Sequence, residues 1–136
     1  MMLVQKIFQP LTSSDVCGVY ELLYEHGLVS FPLVQDAAGR IGAVVDSIIA
    51  VHFGHAIYAS LEEKAVAYLY FLIKDHPFVD GNKRTAVIVF MTVCAFNKLK
   101  PDFSVFTLDE LAVYIEQRQG QDYHSFIATI ATALFA

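Results

Sequence analysis

Hydrophobic positions recur along this chain mostly at the three-to-four-residue spacing of amphipathic helices, broken by short polar or glycine-containing stretches. Thr12-Ser13-Ser14-Asp15 reads as a helix start, with Val16, Val19, Tyr20 and Leu23 on one face of the helix that follows and Gly27 as its stop. Residues 29–39 hold Pro32 and Gly39 and read as irregular. Ile41, Val44, Val45, Ile48, Ile49 and His52 then repeat at helical spacing, predicting a second helix over about 41–52. The single glycine and alternating bulky residues of His52-Phe53-Gly54-His55-Ala56-Ile57-Tyr58-Ala59 suggest an extended loop or short hairpin. Ser60-Leu61-Glu62-Glu63 is a capping-box signature that opens a third helix through about Lys74. Asp75-His76-Pro77 ends it, because the residue before proline disfavours helical backbone.

A fourth helix is predicted from the Gly81 turn to about Asn97, followed by a loop at 98–104 that contains Pro101. Thr107-Leu108-Asp109-Glu110 is another capping box, opening a helix to about Gln117, which Gly120 separates from the next. Tyr123, Phe126, Ile127, Ile130, Ala131 and Leu134 give an amphipathic last helix. No internal repeat, low-complexity tract or linker interrupts the pattern. The expectation is one compact all-α domain over residues 1–136, with a central helical hairpin and a short flap before the third helix.

Composition narrows the class. A chain of 136 residues is long enough for one core. At 56% hydrophobic residues and a mean hydropathy of +0.50 it is unusually apolar. Its uncharged apolar runs nevertheless fall short of the ~18–20 residues of a spanning helix, and the polar cluster from Asp75 to Arg84 would be expensive in lipid. A soluble helical protein with no membrane association is expected, its excess apolar surface forming a partner-binding face. A formal charge of −5 argues against a broad nucleic-acid binder, while leaving room for a local cationic pocket. Met1–Pro10 lacks the basic region, apolar stretch and cleavage site of a signal peptide, so a cytoplasmic location is expected. Cys17 and Cys94 lie far apart within apolar helical patterns and read as buried free thiols.

Chemistry concentrates in His76-Pro77-Phe78-Val79-Asp80-Gly81-Asn82-Lys83-Arg84-Thr85, between two strongly apolar segments. Gly81-Asn82 at a helix start presents backbone N–H groups at the positive end of the helix dipole, a combination that binds phosphate. Lys83 and Arg84 add point-charge and fork-shaped contacts to further oxygens. Asp80 is placed to hold a hard cation such as Mg²⁺ alongside substrate phosphates. His76, across the loop, is placed to take a proton from an attacking hydroxyl, and Phe78 is expected to pin the loop into the core. Taken singly, each part has an ordinary structural reading: a capping histidine, an Asp-Gly turn, a solvated Lys-Arg face. Their convergence within ten residues is what points to a nucleotide-phosphate site.

The run His76-Pro77-Phe78-Val79-Asp80-Gly81-Asn82-Lys83-Arg84 resembles the signature of the Fic/Doc superfamily, His-x-Phe-x-Asp/Glu-Gly/Ala-Asn-Gly/Lys-Arg. The short length, the start at Ser60 and a loop at Gly39-Arg40 look like its Doc (death-on-curing) branch, the toxins of Phd/Doc-type toxin–antitoxin systems. This resemblance implies an all-α Fic fold with His76 as general base, Asp80 positioning Mg²⁺, and Gly81, Asn82, Lys83 and Arg84 cradling the phosphates of ATP. It also implies a flap that aligns the target segment, best placed at about 53–59. AMP-transferring members carry a second glycine where this chain has Lys83 and a further arginine where it has Val87. A lysine does not replace a glycine whose backbone must approach phosphate closely. Both differences match the Doc branch, in which the γ-phosphate is transferred to elongation factor Tu and translation stops. Two alternatives stay open: a nucleotidyl transferase attaching AMP to a protein hydroxyl, and a non-catalytic Fic-fold interaction module. The self-restraining pattern Ser/Thr-x-x-x-Glu-Gly/Asn of many relatives has no match here, so restraint is expected from a Phd-like antitoxin helix laid in an apolar groove.

Other residues read plainly. His52 and His55 are three apart, a spacing that suits a metal pair if helical, but no Cys or carboxylate cluster stands nearby to complete a site. His26 and His124 are expected at helix ends or on the surface, and Tyr20, Tyr24, Tyr68 and Tyr70 in the core or a groove.

Overall fold

The computed structural model describes residues 7–135; the expectation about a leader at Met1–Pro10 thus falls largely outside the described residues. These residues form six helices and one small hairpin: α1 (Ser13–Glu25), α2 (Ala37–Ile49), β1 (Val51–His52), β2 (His55–Ala56), α3 (Leu61–Lys74), α4 (Asn82–Phe96), α5 (Leu108–Gln117) and α6 (Tyr123–Leu134). The fold is all-α around a central α3–α4 hairpin, as the sequence pattern predicts. No helix among the described residues is long and apolar enough to cross a membrane.

Local chemistry accounts for most of the boundaries. Thr12 Oγ1 accepts from the Asp15 amide at 3.1 Å while Asp15 Oδ2 accepts from the Thr12 amide at 2.9 Å, a complete capping box that starts α1. Thr107 and Glu110 do the same for α5. Ser60 Oγ accepts from the Glu63 amide at 3.0 Å at the start of α3. Inside α3, Ala65, Val66, Ala67, Tyr68, Leu69 and Tyr70 are consecutively buried. A helix covered on every side is a core helix, and α3 packs against α2, α4, α5 and α6. Cys17 and Cys94 are buried free thiols. Burial pushes the Cys94 thiol up to about 12.

Several expectations are corrected. The second helix begins at Ala37, inside the stretch read as irregular, so Gly39 and Arg40 lie in its first turns and not in a loop. Ala37 and Ile41 are fully buried, and that packing outweighs the roughly 1 kcal/mol a helical glycine costs. The same helix ends at Ile49 rather than near 52, because Ala50 turns extended and Val51–His52 pairs with His55–Ala56. Phe53 (φ 52°) and Gly54 (φ 78°) occupy the two turn positions, the positive-φ pair of a type I′ hairpin. The hairpin therefore spans 51–56 and starts two residues before the place expected for the flap. His52 and His55 face each other across it and are not on a helix, so the condition for a helical metal pair is not met.

Candidate functional site

The loop from Asp75 to Gly81 joins the two central helices, and the core itself positions it. Phe78 is buried and stacks on Tyr20 of α1, ring centroids 4.2 Å apart and planes within 14°. Burial, with Asp80 and Tyr24 adding to it, pushes the Tyr20 phenol up. Gly81 takes φ 77°, and a Cβ there would meet Val29 Cγ1 at 2.3 Å. Both the left-handed backbone and the close approach of Val29 demand glycine.

Asn82 is the internal staple of the loop. Its Oδ1 accepts from the Phe78 amide at 3.0 Å and its Nδ2 donates to the Phe78 carbonyl at 2.9 Å. Nδ2 also lies 3.4 Å from His76 Nδ1, long for a hydrogen bond but close enough to orient the ring. His76 is solvent-exposed with φ 48°, a left-handed conformation that costs a non-glycine residue about 1–2 kcal/mol.

Around this loop lies a cleft of about 710 Å³. His76, Asp80, Gly81, Asn82, Lys83 and Arg84, the six residues singled out from sequence, all line it. Gly81 is the N-cap of α4 and supplies no side-chain cap, so the first-turn N–H groups open toward the cleft with the positive end of the helix dipole. Asp80 is exposed beside them. Arg84 donates to the Leu28 carbonyl, which ties the guanidinium to the α1–α2 connection. Lys83 Nζ is paired with Glu116 Oε1 at 2.8 Å.

The opposite wall was not legible in the sequence. Asp109, Ala112, Val113 and Glu116 of α5 complete the cleft, with Val87 and Ile88 of α4 forming its apolar floor. Glu116 follows the buried Ile115 and looks like any solvated helix acid, so nothing local marks it as the partner of Lys83. His26 caps the end of α1 through Nδ1 and the Leu22 carbonyl, 2.8 Å apart. His124, in the first turn of α6, stacks on Tyr58 and approaches the Ile57 carbonyl at 2.7 Å. Tyr20, Tyr68 and Tyr70 are buried, while Tyr24 is partly exposed.

Residues 10–94, from the segment before α1 through most of α4 and including the whole loop, match the model of the Fic/DOC family. The chain belongs to the Fic/DOC family. A curated relative, named Toxin Doc, from Mycolicibacterium smegmatis is 35% identical over 95 residues, covering 68% of this chain and 72% of that protein. No solved structure gives a significant match. The Fic/DOC match stops before α5, so the wall carrying Asp109 and Glu116 lies outside the matched residues.

Proposed function

We propose that this Fic/DOC chain is a Doc-type toxin that transfers the γ-phosphate of ATP to a Ser or Thr hydroxyl of a protein, elongation factor Tu being the target the Doc resemblance implies, and so arrests translation. The observation carrying this reading is the convergence of His76, Asp80, the open N-terminus of α4, Lys83 and Arg84 on one cleft. The name of the mycobacterial relative supports the toxin role.

In this reading His76 accepts the proton of the target hydroxyl as its oxygen attacks the γ-phosphorus, and the bond to the β-phosphate oxygen breaks to release ADP. Backbone N–H groups at Gly81 and Asn82, with Lys83 and Arg84, hold the phosphate oxygens. Asn82 acts chiefly through its side-chain staple, which keeps the loop shaped. Asp80 would hold Mg²⁺, which when bound neutralises phosphate charge. Among the described residues no group of three or more His, Cys, Asp or Glu gathers to hold a metal. A single exposed carboxylate suits a cation shared with phosphates.

The second reading is AMP transfer, which the same base and carboxylate would serve. Lys83 and Val87, both lining the cleft, stand where AMP-transferring relatives carry glycine and arginine, and this favours phosphate transfer. Exposed apolar side chains at the cleft, Leu28, Val79, Ile88 and Val113, offer a face for a Phd-like antitoxin helix. Incubation with Mg²⁺, elongation factor Tu and ATP labelled at either phosphate tests the reaction. Label is expected from the γ-position alone; label from the α-position would establish AMP transfer instead. A non-catalytic module would make wild type and His76→Ala equally harmful on expression, whereas catalysis predicts that His76→Ala relieves the harm.

A further inference from the structure

His76 holds a left-handed backbone conformation, and its φ is a rotation about the bond that joins it to the preceding peptide plane. Whatever fixes that plane helps fix where the imidazole points. The Asp75 carbonyl oxygen, which belongs to that plane, accepts from the Arg40 guanidinium. Arg40 Nε also lies 3.5 Å from Asp75 Oδ2, so one side chain grips both the carbonyl and the carboxylate of the residue before His76. Arg40 lies 35 residues earlier, near the start of α2, and reaches the loop because α2 packs along α3. From the other side, Asn82 Nδ2 approaches the imidazole at 3.4 Å. The backbone of His76 is thus braced from α2 and its ring from α4.

We propose that Arg40 is a positioning residue for His76: it fixes the Asp75–His76 peptide and thereby aims the imidazole into the cleft. This rests on the reading of His76 as the base. The plainer role is a cap, since Asp75 is the C-cap of α3 and a cation at that end favours the helix dipole. A cap alone affects stability, whereas positioning also changes the environment of the His76 ring.

Ring-nitrogen resonances of His76 in the isotope-labelled full chain separate the two, assigned by their loss in His76→Ala. Arg40→Ala is expected to shift and broaden them. It is also expected to lower the kcat of transfer roughly three- to thirtyfold, with the KM for ATP nearly unchanged. Arg40→Lys, which restores a cationic donor without the fork, recovers part of both effects. Where Arg40→Ala fails to fold, Arg40→Gln keeps a neutral donor for the carbonyl and carries the same comparison. Wild-type ring resonances in these variants, or a raised KM with unchanged kcat, would overturn the proposal. The ring spectrum needs neither nucleotide nor acceptor. If the wild type transfers nothing, the proposed reaction fails and the spectrum alone decides the role of Arg40.

Discussion

At the scale of single residues, the loop depends on side chains whose partners the sequence only half reveals. Gly81→Ala places a methyl group against Val29 Cγ1, 2.3 Å away, at a backbone φ of 77°. Strain and overpacking together are expected to cost about 2–4 kcal/mol in denaturant unfolding. Val29→Ala opens that space, so the double variant is expected to lose less stability than the sum of the two single losses. Strict additivity would show that the contact is not the cause. Asn82→Ala leaves the Phe78 amide and carbonyl without the partners they have at 3.0 and 2.9 Å, which is expected to cost about 1–3 kcal/mol. The family signature of this loop was readable because its parts are adjacent in the chain. The inward turn of the Asn82 carboxamide was not, since residue type does not say whether an amide meets phosphate or its own backbone.

At the scale of elements, caps and periodicity placed five of the six helices to within a residue or two, because a hydroxyl or carboxylate at a helix start acts locally. Thr12, Ser60 and Thr107 each accept from the amide three residues on, as their sequence pattern predicts. The second helix was misplaced at both ends for a nonlocal reason: buried Ala37 draws Gly39 into helix, and strand pairing takes Val51 and His52 out of it. The wall supplied by α5 is the other nonlocal feature. Its Lys83–Glu116 pair has side chains 40% and 37% exposed, so screening by water limits its contribution to stability to less than about 1 kcal/mol. Glu116→Gln is accordingly expected to leave the unfolding midpoint almost unchanged. Freeing Lys83 and removing a negative charge from the cleft are expected to tighten ATP roughly two- to fivefold in a direct binding measurement. A large loss of stability in that variant would make the pair a structural tie between α4 and α5.

At the scale of the whole molecule, the apolar composition is explained by an α3 buried along most of its length and by apolar side chains left exposed around the cleft. The buried groups give the fold a defined alkaline limit. Burial pushes Cys94 from 9.0 to about 12 and Tyr68 from 10.0 to about 12. Burial, with Tyr123, Tyr70 and Glu63 adding to it, does the same for Tyr58. Because the folded values are raised, the unfolded chain loses these protons first. Stability is therefore expected to be intact below about pH 9 and to fall as pH rises toward 12, followed by denaturant unfolding across that window. Resistance of Cys94 to thiol reagents in the folded protein at mildly alkaline pH checks the same burial. The central claim, that this cleft moves a terminal phosphate onto a protein, is tested most directly by the intact mass of elongation factor Tu after incubation with the protein, ATP and Mg²⁺. The expected result is the gain of one phosphate, absent with His76→Ala; a gain of an AMP group, or no gain at all, would contradict that claim.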